Sequence, residues 1–370
     1  TKPVRKQMGM GPQYPEGSPM YDAFYHGLRD STSNWVDFDE AATQTAIDWL
    51  ESAPDGPWCL WVPLIFPHLP FEVEKFWYDM YAGETVAPRF SATGMNKPNF
   101  HAAIREKLGT ERLTEDNWLE IIRIYYAMIS RVDDQLGRIV STMDNNNLSK
   151  NTLTYFFTDH GEYLGDFNLV EKWPSGLDRC LLQNPLIVAG PGVQENAVAS
   201  SFVEMVDILP TVLEQAEVEV GHTHFGRSLV PALQDPKTVI REMAFSEGGF
   251  TTDEIRLFEE PGGEYAKKGQ LQHDLPKNVG KAIALRNSDY TYIYRLYEQD
   301  ELYDRNQDPE ETKNIIEAEN MDKRAAELRE QVLSWLVASA DDIPWKPDPR
   351  FPKIQHGQHE AFSGVPHKSL

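Results

Sequence analysis

The stretch EDNWLEIIRIYYAMISRVDDQLGRIVSTMDNNNLSKNTLTYFFTDHGE, residues 115–162, carries the strongest structural signals in this chain. Apolar side chains recur there at three- and four-residue steps and predict a long helix over about 115–144, which three asparagines at 145–147 then end. The segment TLTYFFT at 152–158 predicts a strand that runs directly into the Asp-His-Gly tripeptide at 159–161. A long helix followed by a strand with polar residues at its end indicates an α/β fold.

Two other apolar segments extend this pattern. WCLWVPLIF at 58–66 is a continuous apolar run of strand length, which is typical of a strand buried on both faces. PLIVAG at 185–190 predicts a further strand, and the acidic start and apolar spacing of 37–52 predict a helix. Alternating strands and helices of these lengths predict an α/β fold with a mostly parallel sheet sandwiched by helices.

Three polar side chains follow the predicted strands. His68 comes just after the segment at 58–66, and Asp159 and His160 come just after the one at 152–158. Functional groups of open α/β sheets gather beyond the carboxyl ends of the strands. The sequence therefore predicts that these side chains meet at one edge of the sheet.

The remaining segments divide the chain into parts. Residues 1–36 are interpreted as irregular structure and 71–113, mixed in composition, as a long surface excursion. Apolar and polar residues alternate in 282–304 and predict short antiparallel strands, and 322–339 predicts an amphipathic helix. The predicted parts are an α/β domain at 1–240, a smaller α+β subdomain of antiparallel strands and a helix at 241–340, and an extended tail at 341–370.

Composition excludes several classes of protein. The formal charge of −23 over 370 residues repels phosphate backbones, so nucleic acid is not an expected partner. The sequence contains no run of 18 apolar residues, so no transmembrane segment is predicted. The composition fits a soluble protein of either the cytoplasm or the periplasm. Cys59 and Cys180 form no C-x-x-C pair, which argues against a cysteine zinc site and favours two buried free thiols.

Three features carry possible chemistry, each beside a plain structural alternative. Asp159 and His160 can both reach one divalent cation if the loop bends at Gly161, although capping of a loop by Asp159 is the simpler reading. Lys172 offers a point charge for an oxyanion, whereas most loop lysines are only solvated. His68 is held rigidly between two prolines. It is either a functional residue or a surface histidine that caps a turn.

Taken together and in order, six segments resemble the sulfatase family of the alkaline phosphatase superfamily. The second of them contains an Asp-His-Gly-Glu step where the family has Asp-His-Gly-Glu or Asp-Asn-Gly-Glu. Six ordered matches at fitting separations are far more specific than any one of them. The segments are WCLWVPLIFPHLPF (58–71), YYAMISRVDDQLGRIVSTMDNNNLSKNTLTYFFTDHGEYLGD (125–166), NPLIVAGPG (184–192), SFVEMVDILPTVLEQAEV (201–218), FGRSLVPAL (225–233) and ELYDRNQDPEETKNI (301–315).

The resemblance implies a role for each candidate residue. Asp159 and His160 would be two ligands of one catalytic divalent metal ion, Lys172 would contact a sulfate oxygen, and His68 would face the leaving-group side of the ester. Calcium is the first choice of metal, and the nitrogen ligand also admits manganese or zinc. Histidine rather than asparagine at 160 resembles the branch of choline sulfatases and phosphonate monoester hydrolases.

The sequence also departs from the family pattern. Phe167-Asn168 stands where the family commonly has His-Gly, and the residues around 176–178 replace its usual aromatic-Glu-Glu. Neither C-x-P-S-R nor S-x-P-S-R, which supplies the formylglycine nucleophile, occurs in the 370 residues. We therefore expect the C-terminal portion of a sulfatase whose nucleophile lies in a segment outside these residues.

The expected substrate is a sulfate ester of a small molecule or a saccharide. Two alternatives remain open at this stage: a phosphonate or phosphodiester hydrolase on the same scaffold, and an inactive fragment or binding module. The proline-rich tail from Asp341 is interpreted as an arm that could join two copies of the chain into a homo-oligomer.

Overall fold

A computed structural model describes residues 13–29, 37–86, 89–92, 96–219 and 222–340. The tail predicted at 341–370 lies outside these residues, so its role in a homo-oligomer stays a prediction. No helix within the described part combines the length and the apolar character needed to cross a bilayer.

The described residues contain ten α-helices and eight strands, together with short 3-10 helices. The helices are α1 (Pro19–Asp22), α2 (Phe38–Leu50), α3 (Lys75–Tyr78), α4 (Asn99–Leu108), α5 (Glu115–Asn145), α6 (Arg179–Leu182), α7 (Ile208–Gln215), α8 (Val230–Gln234), α9 (Ala266–Asp274) and α10 (Asp322–Ser339). The strands are β1 (Tyr25–Arg29), β2 (Phe71–Glu74), β3 (Thr154–Phe157), β4 (Leu186–Ala189), β5 (Met243–Gly248), β6 (Ala282–Asn287), β7 (Tyr290–Arg295) and β8 (Glu301–Asp304).

The long helix α5 confirms the strongest prediction from the sequence. Thr114 caps its start: the Thr114 hydroxyl accepts a hydrogen bond from the Asn117 N–H, and the Asn117 amide oxygen accepts one from the Thr114 N–H. This reciprocal pair satisfies two N–H groups that a helix start leaves without partners. The apolar face predicted from the spacing is buried in the main core, where Trp118, Ile121 and Ile124 lie.

The burial of α5 gives a direct test of packing. Ile124 is fully buried, whereas Ile129, five residues along the same helix, is 45% exposed. Replacing Ile124 with valine removes one buried methylene and is expected to lower the free energy of unfolding by about 1 kcal/mol. The same change at Ile129 is expected to cost less than about 0.5 kcal/mol. Urea unfolding of both variants measures the difference, and equal losses would contradict the assigned orientation of α5.

The sheets are partly as predicted. β1 and β2 pair in parallel, and β5 to β8 form a four-stranded antiparallel sheet in chain order, with α10 packed on it. The strands predicted at 152–158 and 185–190 are present as β3 and β4, and they pair antiparallel to each other. Between these two strands lie only a one-turn 3-10 helix, Asp166–Asn168, and the one-turn helix α6, in place of the long helix that usually connects parallel neighbours.

The strand predicted at 58–66 is absent. These residues are extended and alternate between exposed and half-buried side chains, with Trp61 69% exposed, but they form no ladder with any described residue. A strand requires a hydrogen-bonded neighbour as well as an apolar sequence. His68 therefore does not follow a strand; it precedes β2.

Two segments interpreted as irregular or superficial belong to the core. Within 13–29, Met20 of α1 and Phe24, just before β1, are buried. Within 71–113 the buried residues include Phe71, Phe100 and Leu108. Short elements separated by turns leave no long periodicity, so the sequence did not show that they pack against α5. The expectation of two buried thiols is also wrong in part, because both cysteines are free but Cys59 is exposed.

The sheet β5–β8 and α10 lie within the range predicted for the smaller subdomain. The strands at 282–304 confirm the antiparallel prediction, and their inner side packs against Leu328 and Val332 of α10. On the other side, Leu177 packs against Ala282 and Ile293. The loop that follows β3 therefore reaches this sheet, while the division of the chain into domains stays a prediction.

Candidate active site

The turn after β3 presents Asp159 and His160. The Asp159 carboxylate is 87% exposed and accepts a hydrogen bond from the His160 N–H at 3.0 Å. A side chain at Gly161 would place its Cβ 1.9 Å from the Cys180 carbonyl oxygen, and the Gly161 N–H donates to the Leu181 carbonyl at 2.8 Å. Glycine is thus required because α6 packs directly on this turn.

Hydrogen bonding fixes the tautomer of His160. Its Nδ1 lies 2.8 Å from the Gly161 carbonyl oxygen, and because a carbonyl only accepts, Nδ1 carries the proton. Nε2 is left as a lone-pair donor, with the Lys172 Nζ at 2.9 Å and the Asp159 Oδ2 at 3.5 Å. The Lys172 ammonium and the Asp159 carboxylate therefore both lie close to the His160 Nε2.

This donor pair fits part of a metal site. A backbone carbonyl that holds the second ring nitrogen is the usual way to orient a metal-binding histidine. An imidazole nitrogen with a carboxylate oxygen suits manganese or zinc, and carboxylate oxygen also suits calcium. No group of three or more His, Cys, Asp or Glu side chains comes together as a metal site among the described residues, so the pair supplies two ligands.

The partly exposed side chain of Lys172 has a protein partner. Glu171, which precedes it, is buried with a backbone φ of +63°, and its Oε1 lies 3.3 Å from the Lys172 Nζ. The buried Lys268 contacts the Glu171 carboxylate and donates to the Lys172 carbonyl at 2.5 Å. Burial raises the pKa of Glu171, but Lys268 and Lys172 outweigh it and hold that pKa below its ordinary value.

A second buried carboxyl, Glu162, braces the same loop. It accepts hydrogen bonds from the backbone N–H groups of Leu164 and Glu171, so it ties the turn after β3 to the segment that carries Lys172. Burial, together with the nearby Glu171 charge, raises the pKa of Glu162 to about 7. Glu162 belongs to the Asp-His-Gly-Glu motif, which was the signal in the sequence that could have identified it.

His68 is positioned from two sides. Its Nδ1 donates to the Leu69 carbonyl at 2.7 Å, and its Nε2 lies 3.1 Å from the Tyr265 hydroxyl. The segment before it is held by Asp39 of α2, a buried carboxylate that accepts hydrogen bonds from the Ile65 and Phe66 N–H groups, both at 2.8 Å. The sequence did not predict these roles, because nothing near Asp39 marks a contact with the segment before His68 and nothing near Tyr265 marks a contact with His68 itself.

The four predicted residues thus form one connected arrangement. His160 contacts both Asp159 and Lys172. His68 is connected to them only indirectly: it contacts Tyr265, the Lys268 Nζ lies 5.9 Å from the centre of the Tyr265 ring, and Lys268 donates to the Lys172 carbonyl. The arrangement can bind a cation at one end and an anion beside it. The role of each residue in a reaction stays a prediction.

Comparison with known proteins identifies the family. A family model described as Sulfatase matches residues 4–218, which is more than half of the chain. This chain belongs to the sulfatase family. The resemblance inferred from six sequence segments is therefore confirmed, and sulfatases generally use a divalent metal ion.

Relatives of this sulfatase-family chain cover most of its length. The choline-sulfatase of Rhizobium meliloti is 25% identical over 84% of this chain and 59% of the relative, and the sulfatase YidJ of Escherichia coli is 25% identical over 87% and 61%. The chain thus spans about three fifths of the length of these curated relatives.

Solved structures show the same fold. The phosphonate monoester hydrolase of Agrobacterium radiobacter superposes with a TM-score of 0.65 at 25% identity, over 81% of this chain and 60% of that one. The protein BT4656, solved with its substrate D-glucosamine-2-N,6-O-disulfate, superposes at 0.64 with 18% identity, over 85% and 72%. The predicted α/β fold of the alkaline phosphatase type is therefore confirmed, together with its smaller antiparallel part.

Proposed function

We propose that this chain supplies the metal-binding pair and the sulfate-binding lysine of a sulfuric ester hydrolase. The observation that carries the proposal is the contact of the Lys172 Nζ with the His160 Nε2 beside the Asp159 carboxylate. A sulfate group carries negative charge on several oxygens, and a metal ion with an adjacent ammonium group neutralises such charge as it builds up during the reaction. Membership of the sulfatase family supports this chemistry.

Each residue has a defined part in the proposal. The Asp159 carboxylate and the His160 Nε2 hold one divalent ion, with calcium the first candidate and manganese or zinc admitted by the nitrogen ligand. When bound, the ion polarises a sulfate oxygen. The Lys172 ammonium contacts another sulfate oxygen as a compact charge, and His68 lies toward the ester oxygen that leaves.

The overall reaction converts a sulfate ester and water into an alcohol and hydrogen sulfate. The bond between sulfur and the ester oxygen breaks, a new sulfur–oxygen bond forms, and the departing oxygen takes up a proton. The 370 residues contain no C-x-P-S-R or S-x-P-S-R segment, so the proposal assigns the attacking nucleophile to a segment outside them. The alcohol part is a small molecule or a saccharide, as in the ligand of the BT4656 structure.

A second candidate function is the hydrolysis of phosphonate monoesters. It is favoured by the fold match to two phosphonate monoester hydrolases, at TM-scores of 0.65 and 0.64. The full-length protein should be assayed with the sulfate ester and the phenylphosphonate monoester of 4-nitrophenol under the same conditions. Faster turnover of the sulfate ester supports the first proposal, and a clear preference for the phosphonate ester would replace it with the second.

Metal binding can be tested on this chain directly. Because Asp159 supplies one of two ligands, Asp159→Ala is expected to weaken binding of one divalent ion at least about tenfold in calorimetric titration. Asp116→Ala, an exposed carboxylate near the start of α5, serves as the matched control and should bind as the wild type does. Equal affinity in wild type and Asp159→Ala would remove Asp159 from the site.

A further inference from the structure

The long connection between β5 and β6, residues 249–281, leaves the antiparallel sheet at the end of β5 and re-enters it on the adjacent strand, β6. Gly248 pairs with Ala282 across the two strands, so the connection is an elaborate hairpin loop. Its base is closed by hydrogen bonds from the Phe250 N–H to the Val279 carbonyl at 2.7 Å and from the Lys281 N–H to the Phe250 carbonyl at 3.0 Å. The loop contains Tyr265 and α9, which packs against α4 of the main core.

This loop is fastened to the segment that follows Lys172. The indole N–H of Trp173 donates to the Asn278 carbonyl at 2.7 Å, and the Ser175 hydroxyl donates to the same oxygen at 3.1 Å. Trp173 and Ser175 are both buried. The segment just after α9 is therefore fastened to the segment just after Lys172.

At one end of the loop, Tyr265 completes the hydrogen bonding of His68. The Nδ1 proton is committed to the Leu69 carbonyl, so Nε2 is an acceptor and the Tyr265 hydroxyl is its donor at 3.1 Å. Contacts at both ring nitrogens fix the rotation of the imidazole.

One turn further on, Lys268 controls the backbone of Lys172. Its side chain is 1% exposed, and a buried ammonium group is tolerated only with charged and hydrogen-bonding partners. Those partners are the Glu171 carboxylate and the Lys172 carbonyl. Glu171 has a positive φ, a conformation that a side chain larger than glycine seldom adopts, so its contacts must hold the backbone there.

We propose that Tyr265 and Lys268 are positioning residues for ester hydrolysis, Tyr265 acting through His68 and Lys268 acting through Lys172. The inference rests on the proposed function of those two partners. Neither residue touches the sulfur-bearing group in this scheme. One loop of the antiparallel sheet thereby positions both His68, on the leaving-group side of the site, and Lys172, on the side of the sulfate oxygens.

The two residues should affect different parts of the reaction. Stabilisation of the departing ester oxygen matters most when the phenol is a poor leaving group. Tyr265→Phe should therefore lower kcat roughly 10- to 100-fold on phenyl sulfate and much less on 4-nitrophenyl sulfate. Lys268→Met should lower kcat on both esters alike, because Lys172 faces sulfate oxygens that do not leave. Tyr294→Phe and Lys277→Met are the matched controls and should keep wild-type rates.

Loss of Lys268 leaves Glu171 as a buried charge and can impair folding. The double variant Lys268→Met with Glu171→Gln removes both charges, and it should fold while keeping the loss of turnover. Wild-type kinetics in this double variant, or a Tyr265→Phe effect that is the same on both esters, would overturn the corresponding half of the proposal.

A measurement without substrate separates this inference from the proposed function. Ring ¹⁵N NMR of the metal-free chain should show the His68 Nε2 resonance shifted in Tyr265→Phe, and the His160 Nε2 resonance, 2.9 Å from the Lys172 Nζ, shifted in the double variant. Each variant should leave the other histidine unchanged. Unchanged spectra in both variants would overturn the positioning roles, whereas a full-length protein inactive on sulfate esters would overturn only the proposed function.

Discussion

Replacing Lys172 with alanine in the full-length protein is expected to lower sulfate-ester turnover roughly 100- to 1,000-fold while leaving the melting temperature nearly unchanged. The turnover falls because the ammonium group beside the His160 Nε2 no longer neutralises an oxygen of the sulfate. The fold is spared because the Lys172 side chain is only partly buried and Glu171 keeps Lys268 as its partner. Steady-state kinetics on 4-nitrophenyl sulfate and a thermal melt of the same sample measure the two quantities.

Lys150→Ala provides the matched control, since Lys150 is an exposed lysine just before β3 and should keep wild-type turnover. Lys172→Arg should recover part of the activity, because the charge remains although its shape changes. A large drop in melting temperature with unaltered kinetics would instead make Lys172 a structural residue.

Asp178→Ala is expected to lower the free energy of unfolding by about 3–5 kcal/mol, the largest stability effect predicted for this chain. Asp178 is buried beneath the loop that carries Lys172. Its carboxylate accepts hydrogen bonds from the Lys97 Nζ at 2.8 Å, the His101 Nε2 at 3.2 Å and the Tyr163 hydroxyl at 2.5 Å. Removing it leaves the buried Lys97 without its carboxylate partner. Urea unfolding measures the resulting loss in the free energy of unfolding.

The stability of the fold should depend on pH through the same carboxylate. Burial raises the pKa of Asp178, but Lys97 and His101 outweigh burial and hold that pKa well below its ordinary value. The stabilisation is therefore present above about pH 4, the ordinary range of an aspartate, and is lost as the pH falls further. Wild type should lose more stability on acidification than Asp178→Asn, whose side chain does not titrate.

The exposed Asp55 serves as the control in both experiments, and Asp55→Ala should change the free energy of unfolding by less than about 0.5 kcal/mol. If Asp178→Ala were as stable as Asp55→Ala, the buried ion pair would contribute nothing to the fold. If Asp178→Asn followed the acid unfolding curve of the wild type, the carboxylate would not be the titrating group.

The amino-acid sequence alone determined the features that depend on neighbouring residues. The apolar spacing of α5 and the alternation in 282–304 act over a few residues, so each is visible as a local pattern. The Asp-His-Gly step is local as well, because His160 and Asp159 meet through one turn at Gly161. The family resemblance combined several such patterns in order, and the match to the Sulfatase family model confirmed it.

Only the tertiary structure decided which distant segments meet. The antiparallel pairing of β3 with β4, the burial of 71–113 and the absence of a strand at 58–66 depend on hydrogen-bonded neighbours that no local pattern encodes. Tyr265 reaches His68 across 197 positions of the chain, and Lys268 reaches Glu171 across 97. Side chains so far apart interact only once packing has brought their backbones together, which is why the sequence named His68 and Lys172 but not the residues that hold them.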